Sequence, residues 1–165
     1  MINGMILEIT MGNMLQCVIS GGQTGADRAA LDWAIKKNIQ HGGWCPRGRL
    51  AEDGEIPLFY NLSETPTENY AERTEWNIRD SDATAIFSNV EVLTGGTALT
   101  IKLAIKYQKP YIHIHAGLGI DGSVRHIREF LQVHSIQRLN IAGPRATEDP
   151  CVGVFVTRVL DAVFN

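Results

Sequence analysis

Two glycine pairs in this 165-residue sequence stand where proteins often bind phosphate. Each pair follows a short apolar segment and precedes a helical pattern, the first in Ser20–Gly25 and the second in Thr94–Thr97. Glycine allows positive φ and a close approach of the backbone to an anion, and a helix N-terminus offers unpaired N–H groups. One such turn is equally well explained as a tight turn without a ligand, whereas two in one sheet favour ligand binding. The predicted binding residues of these turns are Gly21, Gly22, Gln23, Thr24, Gly25, Gly95, Gly96 and Thr97.

Two arginines follow in a long loop after the second predicted strand. Arg47 and Arg49 flank Gly48, and a guanidinium group can make paired hydrogen bonds to a phosphate. Because loops of this length in compact domains are often functional, both arginines are predicted to bind the ligand. Solvated arginines in a surface loop are the alternative. Asp27 is interpreted as part of a capping box with Thr24 rather than as a ligand contact.

No spacing in the sequence identifies a catalytic nucleophile or a metal site. Neither glycine pair fits the Gly-x-Gly-x-x-Gly dinucleotide pattern or the P-loop, which argues against a dehydrogenase and an NTPase. The three cysteines lie far apart without Cys-x-x-Cys spacing, so neither a zinc site nor a disulfide framework is indicated. Cys45 is interpreted as a buried cysteine, and His113 and His115 as histidines with hydrogen-bonding partners. Metal binding is the alternative for all three.

Apolar runs alternate with helical patterns along the chain, and this order predicts the fold. Asp149 is the predicted N-cap of the last helix, with Pro150 at its first position. Strands that alternate with helices form an open, mainly parallel sheet, so we predict a single-domain, doubly wound Rossmann-like α/β fold with about five strands flanked by helices. The predicted strands are 15–19, 39–45, 83–88, 111–115 and 138–142, and the predicted helices are 26–37, 68–80, 98–107, 122–133 and 150–164.

Length and composition are those of one globular domain. We assign residues 15–165 to it and interpret residues 1–14, which contain all four methionines, as a mobile N-terminal extension. The net charge of −3 argues against nucleic acid or an anionic membrane as a partner, because both require clustered basic residues. The sequence has no basic leader and no apolar run of about 18 residues. The cysteine pattern favours a reducing cytoplasm.

Five segments resemble the putative molybdenum cofactor carrier proteins. These segments are SGGQTGADRAALDWA (20–34), GWCPRGRLAEDGEIP (43–57), ERTEWNIRDSDATAIF (72–87), GGTALT (95–100) and NIAGPRATEDP (140–150). The family is part of a Rossmann-like superfamily that includes lysine-decarboxylase-like phosphoribohydrolases and DNA-processing protein A. The resemblance implies a cytoplasmic, often homo-oligomeric protein that binds the phosphate and pterin of molybdenum cofactor (molybdopterin). A molybdoenzyme or a cofactor-insertion protein is then its candidate partner.

The same resemblance bears on two further points. It implies a cleft role for Arg73, which helical spacing alone would place in exposed ion pairs with Glu72 and Glu75. The hydrolase relatives carry a Gly-Gly-x-Gly-Thr-x-x-Glu signature whose glutamate serves catalysis. The matching segment, Gly95–Thr100, has neither the glycine before the threonine nor the glutamate, so a binding protein is favoured over an enzyme. A nucleoside monophosphate phosphoribohydrolase and a nucleotide-sensing or single-strand-binding module are the alternatives.

Overall fold

Five parallel strands form the central sheet of the protein, in a computed structural model that describes residues 15–165. In the described residues the strands are β1 (Cys17–Ile19), β2 (Gln40–Gly42), β3 (Trp44–Cys45), β4 (Leu50–Ala51), β5 (Gly54–Glu55), β6 (Ser63–Glu64), β7 (Ala83–Ser88), β8 (Tyr111–His115) and β9 (Arg138–Ala142). The helices are α1 (Ala26–Lys36), α2 (Tyr70–Arg79), α3 (Gly95–Lys106), α4 (Gly119–His134) and α5 (Val152–Phe164), with a 3₁₀ turn at Ala116–Leu118. The central sheet has the order β2-β1-β9-β7-β8, and β3 with β6 and β4 with β5 form two small outlying pairs.

This architecture confirms the predicted doubly wound Rossmann-like α/β fold. Side chains alternate between the two faces of a strand, so Asn140 and Ile141 of β9 point to opposite sides of the sheet. Ile141 belongs to the main hydrophobic core, which α1, α4 and α5 cover. Helices α2 and α3 contact each other and flank the face to which Asn140 points. Burial on both faces explains why all six residues of β7 are buried, as parallel strands require.

The predicted second strand, 39–45, is wrong in one respect, because the structure divides it in two. Strand β2 joins the central sheet beside β1, whereas β3 pairs with β6. Gly43, with φ of 132°, lies between them, and a Cβ at this position would come within 2.2 Å of the carbonyl oxygen of Ser20. The chain therefore turns away from the sheet at a position that only glycine can occupy. The loop that follows is closed by the β4–β5 hairpin, which the sequence did not predict.

The predicted N-caps of the first and last helices are wrong. Gly25 is the N-cap of α1, without a side-chain capping bond, so Thr24 and Asp27 do not form a capping box. Helix α5 begins at Val152 instead of Pro150, because Asp149 holds a turn before the helix. Its carboxylate accepts hydrogen bonds from the backbone N–H groups of Asn89 (3.1 Å) and Cys151 (3.2 Å).

The interpretation of residues 1–14 as a mobile extension lies outside the described residues. Within residues 15–165, the longest apolar helices are too short or too polar to cross a membrane.

Candidate functional site

A cleft opens at the carboxyl edge of the central sheet, where ligands bind in folds of this type. From β1 the chain crosses to β2 on one side, and from β7 it crosses to β8 on the other, so the cleft lies at the switch point of the sheet. Gly21 and Gly96 both line it, which brings the two predicted glycine turns to one site. The lining residues are Gly21, Gln23, Asp27, Tyr70, Ala71, Arg73, Thr74, Asn77, Gly96, Thr97, Leu99, Thr100, Asn140, Ile141, Ala142, Gly143, Arg145 and Glu148.

The second glycine turn is open to this cleft. Gly95 and Gly96 are exposed and form the first turn of α3, three residues before the predicted start of the helix. A Cβ added to either glycine would meet nothing within 4 Å. The turn contains no acidic residue, and the N-cap Thr94 makes no side-chain capping bond. Backbone N–H groups and the positive end of the helix dipole are therefore available to an anion.

The first glycine turn is filled by the protein itself. A Cβ on Gly21 would lie 1.7 Å from Nη1 of Arg73, and one on Gly22 would lie 2.6 Å from Cδ1 of Leu62. A Cβ on Gly25 would lie 2.4 Å from the carbonyl oxygen of Pro144. The absence of a side chain at these glycines thus makes room for neighbouring protein groups. Within this turn, Gly21 and Gln23 line the cleft.

Arg73 forms a buried ion pair and not the exposed helix pairs that its spacing predicts. Its Nη1 donates to Oδ2 of Asp27 at 2.7 Å, and the two side chains are 15% and 4% exposed. Glu75 turns away from it and accepts hydrogen bonds from Nζ of Lys106 (2.6 Å) and the hydroxyl of Tyr107 (2.7 Å). Arg73 consequently lies across the floor of the cleft with its charge balanced by Asp27.

Arg47 and Arg49 lie outside the cleft. Arg47 is exposed, and its guanidinium is 3.7 Å from the carboxylate of Glu68. Arg49 is 7% exposed, and its guanidinium donates to backbone carbonyl oxygens of the loop that it closes. The accepting carbonyls are those of Ile56 (2.7 Å), Pro57 (2.9 Å), Tyr60 (2.9 Å) and Leu62 (3.1 Å). All three nitrogens of this guanidinium donate to the loop, so Arg49 holds the loop together and does not face the cleft.

Tyr70, Asn140, Arg145 and Glu148 are among the cleft residues that reasoning from the sequence missed. The ring of Tyr70 lies between two guanidinium groups, with Cζ of Arg73 at 6.0 Å and Cζ of Arg145 at 5.5 Å from the ring centroid. A polar residue inside a buried strand was the available signal for Asn140. Arg145 and Glu148 follow the carboxyl end of β9, which lies at the ligand-binding edge of the sheet.

Three buried polar atoms in the cleft lack a hydrogen-bond partner among the described residues. They are Nε2 of Gln23, Nε of Arg73 and Oδ1 of Asn140. Buried polar groups without partners are rare in folded proteins, and each costs about 1–3 kcal/mol when it is left unsatisfied. A set of three that lines one cleft indicates that a polar ligand or bound water completes the site.

Glu52 joins the β4–β5 hairpin to the loop that carries Arg145 and Glu148. Its carboxylate accepts hydrogen bonds from the hydroxyl of Thr24 and from the hydroxyl (2.5 Å) and N–H (3.2 Å) of Thr147. The side-chain bonds from Thr147 and Thr24 hold the pKa of Glu52 below its ordinary value. Thr24, a predicted ligand residue, is thereby used to anchor this loop.

We expect Glu52→Gln to lower the melting temperature at neutral pH and to have no effect at low pH. A lowered folded-state pKa gives stability that is complete above the ordinary value of 4.5 and is lost as the pH falls through the folded pKa. Thermal melts from pH 7 to pH 3 measure this, with Glu55→Gln on the exposed side of the same hairpin as the control. A difference between wild type and Glu52→Gln that stays constant with pH would contradict it.

Cys45 and the two histidines of β8 lie away from the cleft. Cys45 is fully buried, and burial raises the pKa of its thiol, so it packs as a neutral side chain. Nε2 of His113 is 2.7 Å from the hydroxyl of Ser88. Burial is the main cause that lowers the pKa of His113, and the neighbouring His115 lowers it further. Residues 15–165 contain no cluster of three or more His, Cys, Asp or Glu side chains that could hold a metal.

Known proteins resemble this chain over most of its length. Residues 18–164 match the family described as the Circularly permutated YpsA SLOG family. The chain is similar to a putative molybdenum carrier protein from Syntrophus aciditrophicus SB, whose crystal structure has been solved at 1.45 Å resolution. The two sequences are 49% identical over 92% of this chain and 95% of that chain, with a TM-score of 0.89. The comparison with curated proteins gave no match.

Proposed function

The chain belongs to the Circularly permutated YpsA SLOG family, and we propose that it is a carrier that binds molybdenum cofactor non-covalently, by its phosphate and its pterin, in the cleft described above. The name of the similar structure from Syntrophus aciditrophicus SB supports a carrier function. The observation that carries the proposal is the open start of α3, where exposed glycines face a cleft that also contains arginine and unpartnered polar groups.

The phosphate binds at the start of α3 in this proposal. Gly96 and Thr97 line the cleft with backbone N–H groups at the positive end of the helix dipole. Arg145, on the loop after β9, supplies a guanidinium group to the same cleft. Its nearest anionic partner is the carboxylate of Glu148, at 3.5 Å. This ion pair is weak because the side chain of Glu148 is exposed to solvent. A phosphate can replace this contact with stronger paired hydrogen bonds.

Room for a ligand larger than a phosphate comes from a second cavity. The cleft itself encloses about 110 Å³, and the adjoining cavity encloses about 480 Å³. Thr97 and Glu148 line both cavities, so one ligand can extend from the cleft into its neighbour. The walls of the second cavity include Val90, Leu93 and Pro144, which can contact the parts of a ligand that extend beyond the cleft.

The proposal includes the cellular setting that the family resemblance implies. The protein is a cytoplasmic homo-oligomer that holds the cofactor and delivers it to a molybdoenzyme or a cofactor-insertion protein. Carriage requires binding without turnover, which fits the missing glutamate after Gly96.

Native mass spectrometry of protein purified from a molybdenum-replete host is the direct test. We expect a retained mass equal to that of the cofactor, lost on denaturation and absent from protein made in a host that cannot synthesise the pterin. The same spectra report the oligomeric state. A retained nucleotide in place of the cofactor would contradict the carrier proposal.

We expect Gly96→Val to weaken phosphate binding by about 100-fold and to leave the free energy of unfolding nearly unchanged. The free space around Gly96 admits the side chain, and valine is no worse than glycine in a helix. Its two methyl groups occupy the space that the phosphate needs beside the backbone. Calorimetric titration with ribose 5-phosphate measures the binding, and a chemical denaturation curve measures the stability.

Ala98→Val is the matched control for this substitution. It adds the same side chain two residues further along α3, at a position that does not line the cleft. Ribose 5-phosphate should bind this variant like the wild-type protein. Equal losses of binding in the two variants would show that valine disturbs the helix, and the anion site at its start would then be refuted.

A further inference from the structure

The floor of the cleft carries hydrogen-bonding groups whose directions are fixed before any ligand arrives. The inference drawn from them rests on the proposed function and names the chemical group that this floor recognises. Gln23 is 5% exposed and lines the cleft, and its Nε2 lacks a partner among the described residues. Its Oε1 accepts hydrogen bonds from the backbone N–H groups of Thr24 (3.0 Å) and Glu52 (2.9 Å). These two donors fix the amide orientation, so Gln23 can only offer N–H to a ligand.

Asp27 and Arg73 present one acceptor and one donor beside Gln23. Oδ2 of Asp27 accepts both hydrogen bonds of that carboxylate, from Nη1 of Arg73 (2.7 Å) and from the N–H of Gln23 (3.3 Å). Oδ1 of Asp27 has no hydrogen bond in the described part of the chain, and Nε of Arg73 is buried without a partner. The floor thus offers a free carboxylate oxygen and two free N–H donors, and the unpartnered Oδ1 of Asn140 is a further acceptor in the same cleft.

The charges of this floor cancel, which determines the kind of group that it can bind. The guanidinium of Arg73 is already paired with the carboxylate of Asp27 in a buried position. A phosphate placed here would find no net positive charge, because Arg73 is already paired with Asp27, and a buried charge without a partner is costly. A neutral group with an N–H beside a C=O satisfies the same atoms without adding charge.

We propose that the floor of the cleft recognises the lactam edge of a fused heterocycle, the ring N–H and adjacent ring carbonyl found in pterins and 6-oxopurines. Oδ1 of Asp27 accepts the ring N–H, and Nε2 of Gln23 with Nε of Arg73 donate to the ring carbonyl oxygen. The heterocycle therefore lies on the floor of the cleft, and the phosphate lies at the start of α3. Arg73 binds the ring and not the phosphate.

This arrangement discriminates against rings that carry an amino group in place of the carbonyl. In such a ring the nitrogen that carries hydrogen in a lactam has none, and an amino group, which donates, replaces the carbonyl oxygen. The N–H donors of Gln23 and Arg73 would then face another donor. Oδ1 of Asp27 would face a ring nitrogen that is also an acceptor. A site that hydrogen-bonds one chemical group strongly rejects an analogue that lacks this group, because the buried polar groups of the site are then left without partners.

Pterin and 2,4-diaminopteridine form the matched pair of ligands for the test, since they differ only at the lactam. Both fluoresce, so titration of the full-length protein at neutral pH gives their dissociation constants without a phosphate group. We expect pterin to bind on the order of 100-fold more tightly than 2,4-diaminopteridine. Equal affinities, a preference for the diamino ring, or binding of neither ring would overturn the inference.

Gln23→Glu tests the assigned residue directly. The substitution keeps an oxygen for the N–H groups of Thr24 and Glu52 but replaces the free N–H donor by a carboxylate oxygen. We expect pterin to bind at least about 10-fold more weakly and 2,4-diaminopteridine not to be weakened. Gln132→Glu makes the same change on the exposed surface of α4 and should alter neither affinity. Loss of both ligands together would point to a folding defect, and the wild-type pair of titrations then still decides the question.

Ribose 5-phosphate separates this inference from the proposed function. If it binds in a manner sensitive to Gly96→Val while the two rings bind equally, the lactam site is refuted and the phosphate site stands. If pterin is selected but ribose 5-phosphate does not bind, the lactam site stands and the phosphate part of the proposed function is refuted.

Discussion

Gly25→Ala is expected to lower the free energy of unfolding by about 3 kcal/mol or more. Gly25 has φ of 81° and ψ of −126°, a backbone conformation that is essentially restricted to glycine. A Cβ there would also lie 2.4 Å from the carbonyl oxygen of Pro144 and 2.8 Å from the backbone nitrogen of Ala146. Both atoms are backbone and cannot move aside without shifting the loop between β9 and α5.

Gly96→Ala is the control for this prediction, because the two glycines were predicted from the sequence to act alike. Its added Cβ meets nothing within 4 Å, so alanine should match or slightly exceed glycine in stability. Urea unfolding followed by circular dichroism measures both variants. A loss below about 1 kcal/mol for Gly25→Ala would mean that the loop after β9 can move, and Arg145 and Glu148 would then be poorly positioned.

This contrast shows what the sequence reveals about glycine and what it does not. The spacing of strands, glycine pairs and helices predicted that both turns reach one edge of the sheet, and Gly21 and Gly96 do line one cleft. It could not distinguish a glycine with free space around it from one whose space is filled by another part of the protein. That distinction depends on Arg73 and Pro144, which are distant in sequence and approach the first turn only in the folded chain.

The arginines also show that a sequence pattern does not reveal what a side chain contacts in the folded protein. Arg47 and Arg49 lie in a loop with the composition of a binding loop. The guanidinium of Arg49, however, donates its hydrogen bonds to backbone carbonyl groups of that loop. A local pattern cannot tell whether a guanidinium faces a ligand or an unpaired backbone. The resemblance to a family directed attention to Arg73, whose helical spacing alone predicted an exposed ion pair.

Carboxylates near the cleft decide whether the protein can also hydrolyse nucleotides. Thr100 stands where the hydrolase signature has glutamate, and its hydroxyl donates to the carbonyl oxygen of Gly96 at 3.2 Å. Glu75 is held by Lys106 and Tyr107, and Asp82 accepts from two backbone N–H groups, at Gln137 (3.0 Å) and Arg138 (2.8 Å). Neither of these acids lines the cleft.

Two acidic residues do line it, and they favour the phosphoribohydrolase alternative only weakly. Asp27 is neutralised by Arg73 at 2.7 Å, so it adds little charge to stabilise a cationic sugar. Glu148 is the freer of the two, with 61% of its side chain exposed and Arg145 at 3.5 Å. An exposed carboxylate is screened by water and loses most of its electrostatic effect on a bound reactant.

We therefore expect turnover of adenosine, guanosine and inosine monophosphates to be at least about 100-fold slower than in relatives that carry the glutamate, since a positioned acid or base typically contributes about 10²- to 10⁴-fold. Chromatography of the released base measures this under matched conditions. Glu148→Gln should leave any residual rate unchanged, because an exposed carboxylate contributes little to it. Turnover comparable to those relatives that is abolished by Glu148→Gln would refute the carrier proposal and make Glu148 the catalytic carboxylate, since the substitution keeps the size of the side chain and removes only its charge.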